Sequence, residues 1–73
     1  MSLTVYVLTC DELDSDGDWT TRVMDVHLSR AGAEASIERN QRHDENWIAD
    51  RKAQGRYLGQ RWTYAIKAIE VLP

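Results

Sequence analysis

Apolar residues are spaced along this chain at strand periodicity in three stretches, and between the second and third lies a longer run of helix-favouring residues. Residues 3–10, LTVYVLTC, are rich in β-branched and aromatic side chains and predict a first strand. Leu3, Val5 and Val7 fall on one face, and Tyr6, Leu8 and Cys10 on the other, so the strand is apolar on both sides, as a central strand requires. Residues 11–18 read as a turn, with Asp and Ser side chains free to bond the backbone and Gly17 at the left-handed position. Residues 19–28 alternate again, with Met24, Val26 and Leu28 against Val23, Asp25 and His27. They predict a second strand, antiparallel to the first through a long hairpin loop.

Ser29 is placed to cap a helix that begins at Arg30, and Ala31, Ala33, Glu34, Ala35, Ile37 and Glu38 favour that helix. Residues 40–46 are polar on every face, and the apolar stripe resumes only at Trp47 and Ile48. One helix over residues 30–54 would measure about 37 Å, whereas ordinary strands span about 20–30 Å. The reading therefore expects a bent or broken helix, with the break near His43 and Asp44 and Asp44 capping the second segment. Gly55 and Gly59 bound a connection, and residues 61–72, RWTYAIKAIEVL, predict a third strand. A right-handed crossover over strand one then gives the order 2-1-3. The expected fold is α+β, a three-stranded antiparallel sheet in β-β-α-β arrangement with the helix on one face. The uncovered face would carry either Tyr6 and Leu8 or Val5 and Val7, with Trp or Tyr from strand three beside them. An apolar patch of that kind marks an interface.

Length and composition bound the rest. Seventy-three residues fit a single domain, 1–73, with one core. Cys10 is the only cysteine, so no disulfide forms within the chain and no Cys/His zinc pattern exists. Good packing or self-association remains to stabilise so small a fold, and a homodimer is one expectation. The N-terminal segment lacks a basic region before its short apolar run, no stretch reaches membrane-spanning length, and a lone cysteine suits a reducing compartment. A cytoplasmic protein with no membrane contact is expected. The net charge of −3 conceals an asymmetry: Asp11, Glu12, Asp14, Asp16 and Asp18 crowd one stretch, while Arg51, Lys52, Arg56, Arg61 and Lys67 follow one another with no acid between. The acidic balance argues against direct nucleic-acid binding.

No constellation in the sequence calls for catalysis, a metal or a cofactor. Asp14, Asp16 and Asp18 have the opening spacing of a calcium loop, but that frame puts Trp19 where glycine is needed and Asp25 at position twelve. Starting at Glu12 corrects the glycine and puts Val23 at position twelve. Cys10 and His27 could pair as nucleophile and base, yet a long hairpin sets Cys10 near Trp19 and His27 near Ser2. The enzyme reading is set aside. Trp47 and Trp62 read as core, whereas Trp19 at the edge of an acidic loop reads as an anchor for a contact.

The strand VYVL at residues 5–8, the capping Ser29 followed by Ala33 and Glu34, and the apolar strand at 64–72 together resemble short uncharacterised prokaryotic and phage β-β-α-β proteins. In size, acidity and lack of a catalytic constellation the chain also resembles phage-encoded anti-CRISPR inhibitors, a likeness of class that carries over no residue. The resemblance implies a small non-catalytic binding protein in the host cytoplasm, occupying a basic surface of a nucleic-acid-handling complex such as a CRISPR effector. Asp11, Glu12, Asp14, Asp16 and Asp18 would meet the basic patch and Trp19 would anchor it. The alternatives are a homodimerising accessory domain with no inhibitory role and a weak RNA-binding protein using the basic stretch around Arg51 and Tyr57.

Overall fold

A computed structural model describes residues 2–72. In chain order they form β1 (Leu3–Leu13), β2 (Trp19–His27), α1 (Arg30–Ala53) and β3 (Arg61–Leu72). The strands make one antiparallel sheet in the order β2-β1-β3, with α1 across one face. The expected α+β architecture and strand order are the fold.

β1 pairs with both neighbours over most of its length, which is why both of its faces are apolar. Tyr6, Leu8, Cys10 and Glu12 point to the helix side, together with Ala68, Ile66, Tyr64 and Trp62 opposite them on β3. Val5 and Val7 occupy the helix-free face, and their β3 neighbours are Ile69 and Lys67 rather than a Trp or Tyr. The hairpin is tighter than the sequence suggested: β1 runs on to Leu13, which pairs with Trp19, so Cys10 lies opposite Arg22 and His27 opposite Tyr6. A bulge between Leu8 and Thr9 breaks the simple alternation of β2, so that Asp25 opposes Leu8 and Val23 opposes Thr9. Val23 and Val26 consequently share the open face, and Asp25 turns to the helix.

α1 is a single unbroken helix of 24 residues, which corrects the expected break near His43 and Asp44. Two physical facts explain the difference. The strands are longer than ordinary, 11 residues in β1 and 12 in β3, so β1 spans about 37 Å and matches the ~36 Å of the helix. Secondly, the polar residues on the inner helix stripe find partners, Ser36 and Asp44 on the sheet and Asn40 within the helix. Ser36 Oγ donates to Asp25 Oδ2 at 3.0 Å, Asn40 Nδ2 donates to the Ser36 carbonyl at 2.8 Å, and the Tyr64 hydroxyl donates to Asp44 Oδ2. No buried side-chain polar atom among the described residues lacks a partner, which is the condition for a polar seam to hold. Ser29 caps the start, accepting from the Gly32 amide at 3.0 Å. Gly55 closes the end with a positive φ of 68°, its amide bonding the Lys52 carbonyl and the Arg56 amide the Arg51 carbonyl, a paired arrangement that satisfies orphan carbonyls.

The core is small. Leu8, Cys10 and Ala33 are the fully buried apolar side chains among the described residues. Aromatic contacts supplement it: the Trp47 and Trp62 rings meet edge to face at 5.2 Å. Arg30 lies over Tyr6 at 5.3 Å, Arg51 over Trp47 at 4.9 Å, Lys52 over Tyr57 at 5.2 Å and Arg61 over Trp19 at 5.9 Å. Four such pairs are several times the usual one per 70–80 residues. The result is a slab of 54 × 22 × 11 Å between Cα atoms, with a radius of gyration of 15.1 Å. A compact chain of this length would have about 11 Å.

Candidate functional site

One end of the slab is formed by the β1–β2 hairpin, the start of β3 and the second half of α1. The hairpin is built around Asp14. Its Oδ1 accepts from the amides of Asp16 at 2.9 Å and Asp18 at 3.0 Å, while its own amide donates to the Asp18 carbonyl at 3.0 Å. Gly17, at φ 86°, makes the left-handed step and donates to the Asp14 carbonyl at 3.1 Å. Asx bonding of this sort is the reason Asp and Gly favour turns.

The five acids singled out in the sequence are not one loop. Asp11 and Glu12 belong to β1 and point to opposite faces. Asp11 accepts from the Thr21 hydroxyl on the open face, and Glu12 Oε1 accepts from Trp62 Nε1 at 2.9 Å on the helix side. Asp14, Asp16 and Asp18 remain at the tip, with the Asp14 carboxylate already occupied by the turn. Trp19 follows at the first position of β2, 54% exposed, with Arg61 over its ring. Asp16, Asp18 and Trp19 are thus the most freely presented of the six.

Sequence reasoning missed the groove beside them. About 430 Å³ in volume, it is lined by Trp19, Trp62, Ile48, Asp44, Glu45 and Arg61, among others. The signal was the helical spacing of Gln41, Asp44, Glu45 and Ile48, which puts them on one side of α1, but only the register of β3 reveals that Trp62 faces them. A second cleft of about 370 Å³ lies beside it, with Arg22, His43, Asn40 and Trp47 in its wall. Tyr64 lines the second cleft and pairs across the ladder with Cys10, and both groups are shifted from their ordinary values. Burial pushes the Cys10 thiol above its ordinary value, against the lowering by nearby Arg22. Burial first, and then the hydrogen bond to Asp44, push the Tyr64 hydroxyl up. A thiol held protonated and buried is a poor nucleophile.

A Ser, an Asp and a His also converge near the start of α1. His27 Nε2 lies 2.9 Å from Asp25 Oδ1, and Ser36 donates to the other oxygen of the same carboxylate. The carboxylate stands between hydroxyl and imidazole, whereas a nucleophilic triad needs the imidazole beside the hydroxyl to take its proton. Ser36 is moreover only 2% exposed. Cys10 and His27 lie on ladder positions four residues apart along β1, about 13 Å, closer than the long-hairpin reading put them and still beyond contact. No group of three or more His, Cys, Asp or Glu among the described residues is arranged to hold a metal ion. No described helix is long and apolar enough to cross a membrane.

The basic stretch of the sequence is dispersed as well. Arg51, Lys52 and Arg61 each lie over an aromatic ring of the chain itself. No family model matches the chain, and neither a curated protein nor a solved structure matches it.

Proposed function

We propose that this chain is a non-catalytic binding protein whose acidic end occupies a basic surface of a nucleic-acid-handling protein complex. The class resemblance to phage anti-CRISPR inhibitors makes a CRISPR effector complex in the host cytoplasm the first partner to test. The observation that carries the reading is the grouping of Asp14, Asp16 and Asp18 at one tip, directly before a half-exposed Trp19. Surface carboxylates attract a basic surface over a Debye length, about 8 Å at physiological salt, and raise the association rate. An exposed indole adjoining them supplies the apolar anchor that slows dissociation.

The test is surface-plasmon binding of the chain to purified CRISPR effector complexes. Replacing Asp14, Asp16 and Asp18 together with Asn keeps the turn bonds and removes three charges; it should slow association and flatten its salt dependence. Trp19→Ala should speed dissociation instead. A triple variant that binds like the parent at every salt concentration would remove the hairpin from the contact, and failure of every effector type to bind would remove the CRISPR assignment.

A second reading, an accessory domain that pairs with its own copy, is favoured by a different observation. Val23, Val26 and Ile69 are 63%, 55% and 37% exposed on the sheet face that α1 leaves uncovered.

A further inference from the structure

We propose that two copies of this chain stack their helix-free sheet faces about a two-fold axis running along β1. This makes the self-association reading specific and rests on it. The face is apolar over its half nearest the chain ends, where Leu3, Val5, Val7, Val26, Ile69 and Leu72 stand together. Towards the hairpin it is mixed: Thr9, Asp11, Thr21 and Thr63 are polar, while Val23 and Ala65 flank Thr9 and Leu13 ends the ladder between Trp19 and Arg61.

Area and polarity select the arrangement. Three strands of up to 12 residues present a face about 37 Å long and 14 Å wide, roughly 500 Å² in projection. Corrugation by side chains raises the accessible area above that figure. Two whole faces therefore bury upwards of about 1,000 Å², the threshold for a specific interface, while the apolar halves alone reach about half of it. The overlap must run the full length of the sheet. An axis across the strands would lay Asp11 and the threonines of one copy on the apolar end of the other, desolvating them against Val and Leu. An axis along β1 instead sets the apolar ends on each other and Thr21 on Thr63, in the aligned stacking that twisted sheets adopt. It lays β2 of each copy over β3 of the other. Lys67, beside Val7, can cover the facing apolar surface with its stem and keep its ammonium at the rim.

The same axis brings both acidic hairpins to one end of the pair and the two Asp11 side chains of β1 toward each other. Their mutual repulsion opposes stacking and is screened by salt. The dimer should therefore tighten as salt rises, the opposite of contact between an acidic and a basic surface.

Sedimentation equilibrium of the intact chain tests the idea. Its mass at micromolar concentration should be twice 8.4 kDa, and the dissociation constant should fall several-fold from about 0.05 M to about 0.5 M salt. Val26→Lys and Ile69→Glu change exposed positions, so circular dichroism should be unchanged while each gives a single-copy mass. If Val26→Lys fails to fold, Val23→Lys replaces it. Val5→Cys should be joined to its own copy by a bis-maleimide spanning the ~10 Å between stacked sheets, and the buried Cys10 of the parent should not. A mass of 8.4 kDa at every concentration overturns the proposal. A dimer that survives both face variants, resists the cross-linker at position 5, or loosens with salt overturns it equally, by moving the interface to a sheet edge or reversing the axis.

Discussion

At the residue scale, Asp14 and its acidic neighbours carry different duties. Asp14 Oδ1 holds two amides of the turn, and each such bond is worth about 1 kcal/mol at an exposed site. Asp14→Ala should lower the unfolding free energy by about 1–2 kcal/mol, and Asp14→Asn by less. Asp16→Ala and Asp18→Ala should stay within about 0.5 kcal/mol. Urea midpoints of the four variants measure this, and equal losses for all three Ala variants would refute the division of roles. The second residue-scale prediction concerns alkali. Cys10 and Tyr64 are both pushed above their ordinary values of 9.0 and 10.0, so the folded state holds these protons more tightly than the unfolded chain. Their contribution is complete below the unfolded values and is lost as pH rises through the folded ones. Urea midpoints should fall above about pH 9 in the parent and fall less steeply in Cys10→Ala/Tyr64→Phe. Equal slopes would assign the alkaline loss to other groups. Ser29 and Gly17 were legible in the sequence because a cap and a left-handed turn are local decisions. The separation of Glu12 and Asp11 from the hairpin tip was not, because it depends on how far strand pairing extends.

The unbroken helix is the clearest lesson at the element scale. Residues 40–46 look polar on all sides, and an apolar stripe is the usual sign of a packed helix. Here Ser36 and Asp44 join the helix to the sheet by hydrogen bonding, with Asp25 and Tyr64 supplied by strands remote in sequence. No window of the chain contains that information. Order and direction of the strands were legible, since both faces of β1 are apolar and only a central strand buries both. The bulge at Leu8 and Thr9 was not, and it decides which valines of β2 reach the open face. Continuity of α1 is testable at His43, which lies mid-helix and exposed. His43→Pro should cost about 3 kcal/mol or more and His43→Gly about 0.5–1 kcal/mol. A proline tolerated at that position, read from helicity and thermal midpoint, would restore the broken helix.

For the whole molecule, the slab shape is the dominant fact. Two thin layers and a core with three fully buried apolar residues among those described leave little burial to offset chain entropy. A stacked pair buries the second face of the sheet and links stability to concentration. The thermal midpoint should accordingly rise when the protein is concentrated a hundredfold, by several degrees for a domain of this size. An unchanged midpoint in calorimetry would mean that each copy is stable alone.

The pairing of β1 with β3 also sets an order of events. Leu13 meets Trp19 six residues on but Arg61 only after 48, and Leu3 meets Leu72 after 69. Closing the longer loops costs about 2 kcal/mol more than closing the hairpin, so the hairpin and α1 should form first and β3 should zip on last. Stopped-flow kinetics would then show Gly17→Ala slowing folding, while Ile66→Ala chiefly hastens unfolding. The reverse pattern would put β3 in the nucleus.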